Sequence, residues 1–233
     1  MRRTLVIASI CLAAALGACG DDDEPKSDSS TAAPSEAAPA TPTTTAPEAD
    51  SAEGCEQAEA PSGGERTAKK PKGDLDDGKT YSLVFATSCG DFTVELDPKT
   101  APKASASLVS LAQQRFFDGT TFHRIVPDFV IQGGDPTGTG TGGPGYSTVD
   151  EPPADATYPK YSVAMAKAGD EPPGTAGSQF FVMTGDRGLP AEYAIVGKVT
   201  DGTEVVDRIG ALGDAAEQPT QVVLIEKVTV EES

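Results

Sequence analysis

The chain has 233 residues, long enough for one domain or two, with 36 Asp and Glu against 18 Lys and Arg and a formal net charge of −18. So acidic a balance argues against a nucleic-acid partner and against an electrostatic grip on anionic lipid, both of which want basic patches. Composition shifts sharply along the sequence, and those shifts set the domain boundaries.

Residues 1–18 read as a secretory leader. Arg2 and Arg3 precede an apolar run from Leu5 to Leu16 that is too short to span a bilayer and ends in the small residues Gly17 and Ala18. Leu16-Gly17-Ala18-Cys19 resembles the bacterial lipobox, which implies cleavage before Cys19, a diacylglycerol on its sulfur and an acylated amine. The alternative is an ordinary signal cut near an Ala-x-Ala site, with Cys19 a bystander. Asp21 to Glu53 is almost entirely Asp, Glu, Ser, Thr, Ala and Pro without one aromatic, a composition that cannot offset its ordering entropy by burial. Residues 19–54 therefore read as a tether, or a glycosylated stalk, with a flexible-coil span of about 30 to 35 Å. Losing Arg2 and Arg3 takes the net charge from −18 to −20 (−18 − 2), so acyl chains must supply any membrane affinity, and more than one is needed. The expected address is extracytoplasmic, lipid-anchored to the bacterial cell membrane.

With Cys11 in the leader and Cys19 lipidated, Cys55 and Cys89 remain, an even pair in an oxidising compartment, and a disulfide between them is expected. Closing a loop of that length adds about 3 to 4 kcal/mol on the chain-entropy model and pins residues 55–79 to the head as an extension. The spacing is not that of a Cys-x-x-Cys redox pair, and two thiols make no zinc site; no metal is expected.

The head, residues 80–233, opens with apolar and β-branched runs at Tyr81–Ala86 and Asp91–Leu96, separated by Ser88-Cys89-Gly90 as turn material. Pro102 suits a first helical turn, and Ser105, Leu108, Leu111 and Ala112 fall on one face of a helix over about Ala101–Gln114. Two short strands, Thr121–Val126 and Phe129–Ile131, flank the turn Pro127-Asp128. Arg124 does not fit a plain core hairpin, because a guanidinium stays charged and needs a partner; Gln132, on the neighbouring run, can accept from it. Gly138, Gly140 and Gly143 satisfy Gly-x-Gly-x-x-Gly, but Pro144-Gly145 follows where a helix would have to open, so this is a loop and not a dinucleotide site. Further strands are expected at Tyr161–Met165, Gln179–Met183, Ala194–Val199 and Gln221–Val230, with a helix over Thr203–Leu212 carrying Val205, Val206, Ile209 and Leu212 on one stripe. Strands this dense, with polar turns, point to a mainly β, closed antiparallel barrel.

Phe122-His123-Arg124-Ile125, Gln132-Gly133-Gly134-Asp135 and Gly177-Ser178-Gln179-Phe180-Phe181 closely resemble the cyclophilin family of peptidyl-prolyl cis-trans isomerases, in order and at family-like spacing over about Thr80 to Val230. The resemblance implies an eight-stranded barrel capped by two helices, and an enzyme that accelerates X-Pro rotation in proline-containing segments of other proteins without a cofactor. It puts Arg124 at the catalytic arginine and Gln132 at the glutamine that orients it. Phe129, Val130, Phe181 and Leu189 fall at the proline pocket, Gln179 beside it on the face of Phe181, and Ala166 and Lys167 along the substrate backbone. Tyr193 stands where many members carry histidine, Lys167 where many carry asparagine, and the tryptophan frequent in cyclosporin-sensitive members is absent. His123 has no nucleophile motif beside it and reads as structural. The expected protein is a monomeric isomerase assisting secreted or envelope proteins; the alternative is a non-catalytic module or chaperone that holds proline segments at the cell surface.

Overall fold

The structure is a computed structural model and describes residues 54–233. Residues 1–53, which carry the proposed leader, Cys19 and the tether, lie outside the described residues. The head begins with a hairpin, β1 (Tyr81–Thr87) and β2 (Gly90–Leu96), whose alternate residues Leu83, Phe85, Phe92 and Val94 face inward. Helix α1 (Pro102–Gln113) follows, with Pro102 in its first turn and Ser105, Leu108, Leu111 and Ala112 all buried, as the stripe requires. The short strands β3 (Thr120–Thr121), β4 (Arg124–Val126) and β5 (Val130–Gly133) come next. After the Gly-rich loop come β6 (Thr148–Val149), β7 (Ser162–Met165), β8 (Thr175–Ala176) and β9 (Phe180–Met183), then β10 (Ile195–Asp201), α2 (Thr203–Gly210) and β11 (Leu224–Glu232).

Nine strands form one antiparallel sheet in the order β3-β11-β1-β2-β10-β7-β9-β5-β4, and β6 pairs with β8 in a small separate sheet. The expected count was eight. The difference lies at Phe122-His123, where the anticipated strand Thr121–Val126 breaks in two: β3 pairs with β11 while β4 pairs with β5. The two pieces stand at opposite ends of the strand order yet are consecutive in the chain, and Thr121 also bridges Asp135 just beyond β5. Taken as one bent strand they reduce nine to eight and curl the sheet round on itself, which removes exposed edges. Phe85, Phe92, Phe117, Phe122 and Phe180 pack inside, with Phe85 and Phe92 stacked at 4.8 Å and Phe180 meeting Phe85 at 5.2 Å.

Cys55 and Cys89 form a disulfide, and residues 56–79 run over the head from there. Backbone bonds join Gly64 N–H to Pro136 O and Ala68 N–H to Pro144 O, so the extension lies along the Gly-rich loop. Buried Asp135 organises that loop: its carboxylate accepts from the N–H groups of Thr137, Thr139, Gly140 and Gly142 and from the Thr137 hydroxyl. Burial would push this carboxyl up, but those bonds outweigh it and hold it below the ordinary carboxylate value.

Candidate active site

Strand register places the residues singled out in the sequence. Arg124 on β4 stands opposite Gln132 on β5, Gln132 opposite Phe181 on β9, Phe181 opposite Ala164 on β7, and Ala164 opposite Ile195 on β10. Directly opposed residues project to the same face, so these five make one row across the outside of the sheet. Their chain neighbours Ile125, Ile131, Phe180, Val182 and Val163 point the other way, into the main core. One strand thus supplies the main core with Phe180 and Val182 and a second, separately buried apolar cluster with Phe181 and Met183.

Along that row runs a chain of polar contacts. Arg124 Nη1 donates to Gln132 Oε1 at 3.4 Å, Gln132 Nε2 to Gln179 Oε1 at 3.0 Å, and Gln179 Nε2 to the carbonyls of Gly140 and Gly142 at 2.9 Å each. The other end of the guanidinium is also engaged: Nε donates to Glu217 Oε2 at 2.7 Å. The Arg124 and Glu217 side chains keep 33% and 49% of their surface exposed, and so open an ion pair adds only about 0 to 1 kcal/mol to stability.

Beside the polar chain lies a second apolar cluster, separate from the main core: Val130, Tyr158, Ala164, Phe181 and Met183, with Val126, Phe129, Ala166, Leu189, Tyr193 and Ile195 packed on it. Phe129, Val130, Phe181, Leu189 and Tyr193 all meet here, with the Phe181 and Tyr193 rings edge to face at 5.4 Å. On the far side of Gln132 and Gln179 a cleft of about 420 Å³ opens between the Gly-rich loop and the segment Ala166–Ala168. The Lys167 side chain does not reach into it. Its ammonium turns toward Glu192 Oε2 (3.1 Å) and Glu171 O (3.1 Å), and only 3% of the side chain is exposed. What Lys167 presents to the cleft is therefore main chain.

The Cyclophilin type peptidyl-prolyl cis-trans isomerase/CLD family model matches residues 82–230. The chain belongs to the cyclophilin family. It is similar to a probable peptidyl-prolyl cis-trans isomerase A of Mycobacterium leprae, 42% identical over 169 residues covering 64% of this chain and 91% of that protein. The peptidyl-prolyl cis-trans isomerase B of Streptomyces anulatus is 41% identical over 170 residues, covering 64% and 95%. Among solved structures, a Cryptosporidium parvum cyclophilin type peptidyl-prolyl cis-trans isomerase, crystallised in the presence of the dipeptide Ala-Pro, matches at 33% identity and a TM-score of 0.60, over 64% of this chain and 98% of that one. The head is a cyclophilin-type isomerase domain, and the extension before residue 80 lies outside the family match.

Among the residues of this cyclophilin site that escaped the sequence reading, Met183, Tyr158 and Glu217 are the most telling. Met183 was accessible to it, being two positions from Phe181 on the same face. Tyr158 was not, because it lies in a Pro-rich connection; its hydroxyl donates to Tyr193 O (2.9 Å) and accepts from Tyr193 N–H (3.0 Å), clamping the backbone that carries Tyr193. Glu217 reaches Arg124 from 93 residues away, and nothing local announces it. Among the described residues no group of three His, Cys, Asp or Glu could hold a metal, and no helix is long and apolar enough to cross a membrane.

His123 sits in the break between β3 and β4 against Gly140, its two ring nitrogens buried and neither well hydrogen-bonded. Burial lowers its pKa below the usual 6.5, the Arg124 charge lowers it further, and Asp135 pulls the other way. The folded head therefore resists a proton that the unfolded chain accepts near pH 6.5. Stability from neutral His123 is complete above that pH and is lost as pH falls toward and through the lower folded value. Thermal melts of the wild type should drop more steeply between pH 7 and 5 than those of His123→Phe; parallel curves would refute this.

Proposed function

We propose that the cyclophilin head turns X-Pro bonds by placing the Arg124 guanidinium against the prolyl nitrogen while the amide is twisted. The observation that carries this reading is the cross-strand row: one permanent cation, held by Gln132, stands on the same face as a cluster of apolar and aromatic side chains. A planar prolyl amide offers no lone pair on nitrogen. Midway through rotation, at a barrier of about 18 to 20 kcal/mol, conjugation is lost and nitrogen becomes an acceptor. A donor that meets it there binds the transition state and not the ground state. No proton need move.

The apolar cluster receives the ring, and main chain at Ala166 and Lys167 runs beside the substrate backbone, fixing one side of the bond while the other rotates. The test is isomer exchange on a prolyl peptide with wild type and Arg124→Ala, and equal rates would remove the mechanism. Composition before residue 54 supports a lipid-anchored head that works on secreted or envelope proteins, with Cys19 carrying the lipid. A Cys19→Ser chain is expected to take up no labelled fatty acid and to leave the membrane fraction; continued labelling would defeat that reading.

A further inference from the structure

Gln132 alone would leave the guanidinium loosely held, since its bond to Nη1 is 3.4 Å long. The short contact is the one to Glu217, on Nε. Nε–H lies in the guanidinium plane at the root of the group, so a carboxylate fixed there sets the roll of that plane about the side chain's last bond. Of the five N–H donors of an arginine, these two contacts use two, and the three left over all belong to the outer nitrogens Nη1 and Nη2.

Glu217 is itself firmly placed. The Asp214 carboxylate accepts from the N–H groups of Ala216 and Gln218 at 2.8 Å each, and Asp214 N–H donates to Gln218 O at 2.9 Å, closing a tight turn. That turn is docked on β4: Glu217 O accepts from the N–H of Ile125, the residue after Arg124, at 3.1 Å. At its start Gly213 lies so close to Ile125 O that a Cβ there would not fit. Glu217 holds φ at 64°, a left-handed conformation that favours glycine or asparagine and is kept elsewhere mostly where surroundings demand it. A long carboxylate stands at this backbone position, and its side chain goes to the catalytic cation.

We infer that Glu217 is a positioning residue for isomerisation: its carboxylate, seated on Nε, fixes the guanidinium plane so that the free Nη donors meet the prolyl nitrogen. The inference rests on Arg124 being the donor, as proposed above. Glu217→Ala is expected to lower kcat/KM for a prolyl peptide about tenfold, with the loss in kcat and KM unchanged, because the donor is misaligned while the pocket is intact. Glu217→Gln should recover most of that loss, since an amide oxygen can accept from Nε–H without a charge. In an Arg124→Ala background, Glu217→Ala should cost nothing more.

Wild-type turnover in Glu217→Ala, while Arg124→Ala is slow, would overturn this inference alone. Wild-type turnover in Arg124→Ala would instead remove the mechanism on which it depends. A Glu217→Ala loss that persists without Arg124 would assign Glu217 to the turn and not to the cation. Glu217→Gln behaving like Glu217→Ala would overturn the orienting role as well.

Discussion

Arg124→Ala is expected to lower kcat/KM for a prolyl peptide by about 10² to 10³, the cost of one donor aimed at charge that develops only in the transition state. Peptide affinity should change little, because the apolar cluster of Phe129, Phe181, Met183, Leu189 and Tyr193 does not include Arg124. Stability should barely move: the pair lost with Glu217 is open to water, worth about 0 to 1 kcal/mol, which is a few degrees in Tm at most for a head of this size. Three unequal effects on one substitution separate transition-state binding from folding and from capture of the ring. Arg124→Lys should recover little, since an ammonium keeps the charge but cannot hold Glu217, Gln132 and the prolyl nitrogen in one plane. Exchange rates followed by NMR, with binding titrated in parallel, read all three. If Arg124→Ala turned over peptide at the wild-type rate, the donor would have to be sought elsewhere on this face. If it instead protected unfolded clients as well as wild type while wild type showed no turnover, the head would be a holding module.

Local pattern carried much of the fold. The stripes of α1 and α2 are written in Leu108, Leu111, Val205 and Ile209, and the β1–β2 hairpin in alternating apolar residues, because each face is set by neighbours a few positions away. The small β6–β8 sheet was not legible, since two-residue strands are too short to show a period. Nor was the break at Phe122-His123. Both residues suit a strand, and what divides them is tertiary: Phe122 N–H bonds Val223 O on one side of the barrel while Arg124 pairs with Gln132 on the other. In the site the same division holds. Phe181, Gln179 and Gln132 follow from alternation and the family motifs, whereas Tyr158, Glu217 and the inward turn of Lys167 depend on contacts that no spacing encodes. Lys167 is the clearest case: its position beside the cleft is legible from the motif, but that its ammonium turns back to Glu171 O and Glu192, above the Tyr193 ring, is not.

Removing the disulfide as Cys55→Ser with Cys89→Ser is expected to cost about 3 to 4 kcal/mol, roughly 10 °C in Tm, on the chain-entropy model for a loop of 34 residues. Little else would replace it. Between the disulfide and β1 only Ala68 and Leu75 pack on the core, and the other anchors are polar, among them Arg66 Nη1 on the carbonyls of Phe116 (2.7 Å) and Asp118 (2.8 Å), a reciprocal pair between Gln114 and the backbone of Lys69, and Lys70 Nζ on Ser147 O (2.8 Å). The near end, residues 56–65, has Glu56 N–H on Ser88 O and Gly64 N–H on Pro136 O, and should fray first once the covalent link is gone. Cleavage by a protease within residues 56–65 should therefore accelerate more than cleavage beyond Arg66. Turnover should fall only a few-fold. The extension braces the outer side of the Gly-rich loop at Pro136, Pro144 and Ser147, while the inner side stays fastened by Gln179 to Gly140 and Gly142 and by Asp135 beneath. An unchanged Tm in the double serine variant would show that the extension is held by Arg66 and its neighbours alone. A collapse of activity as large as that of Arg124→Ala would show instead that the bracing sets the geometry of the glutamine chain leading to Arg124.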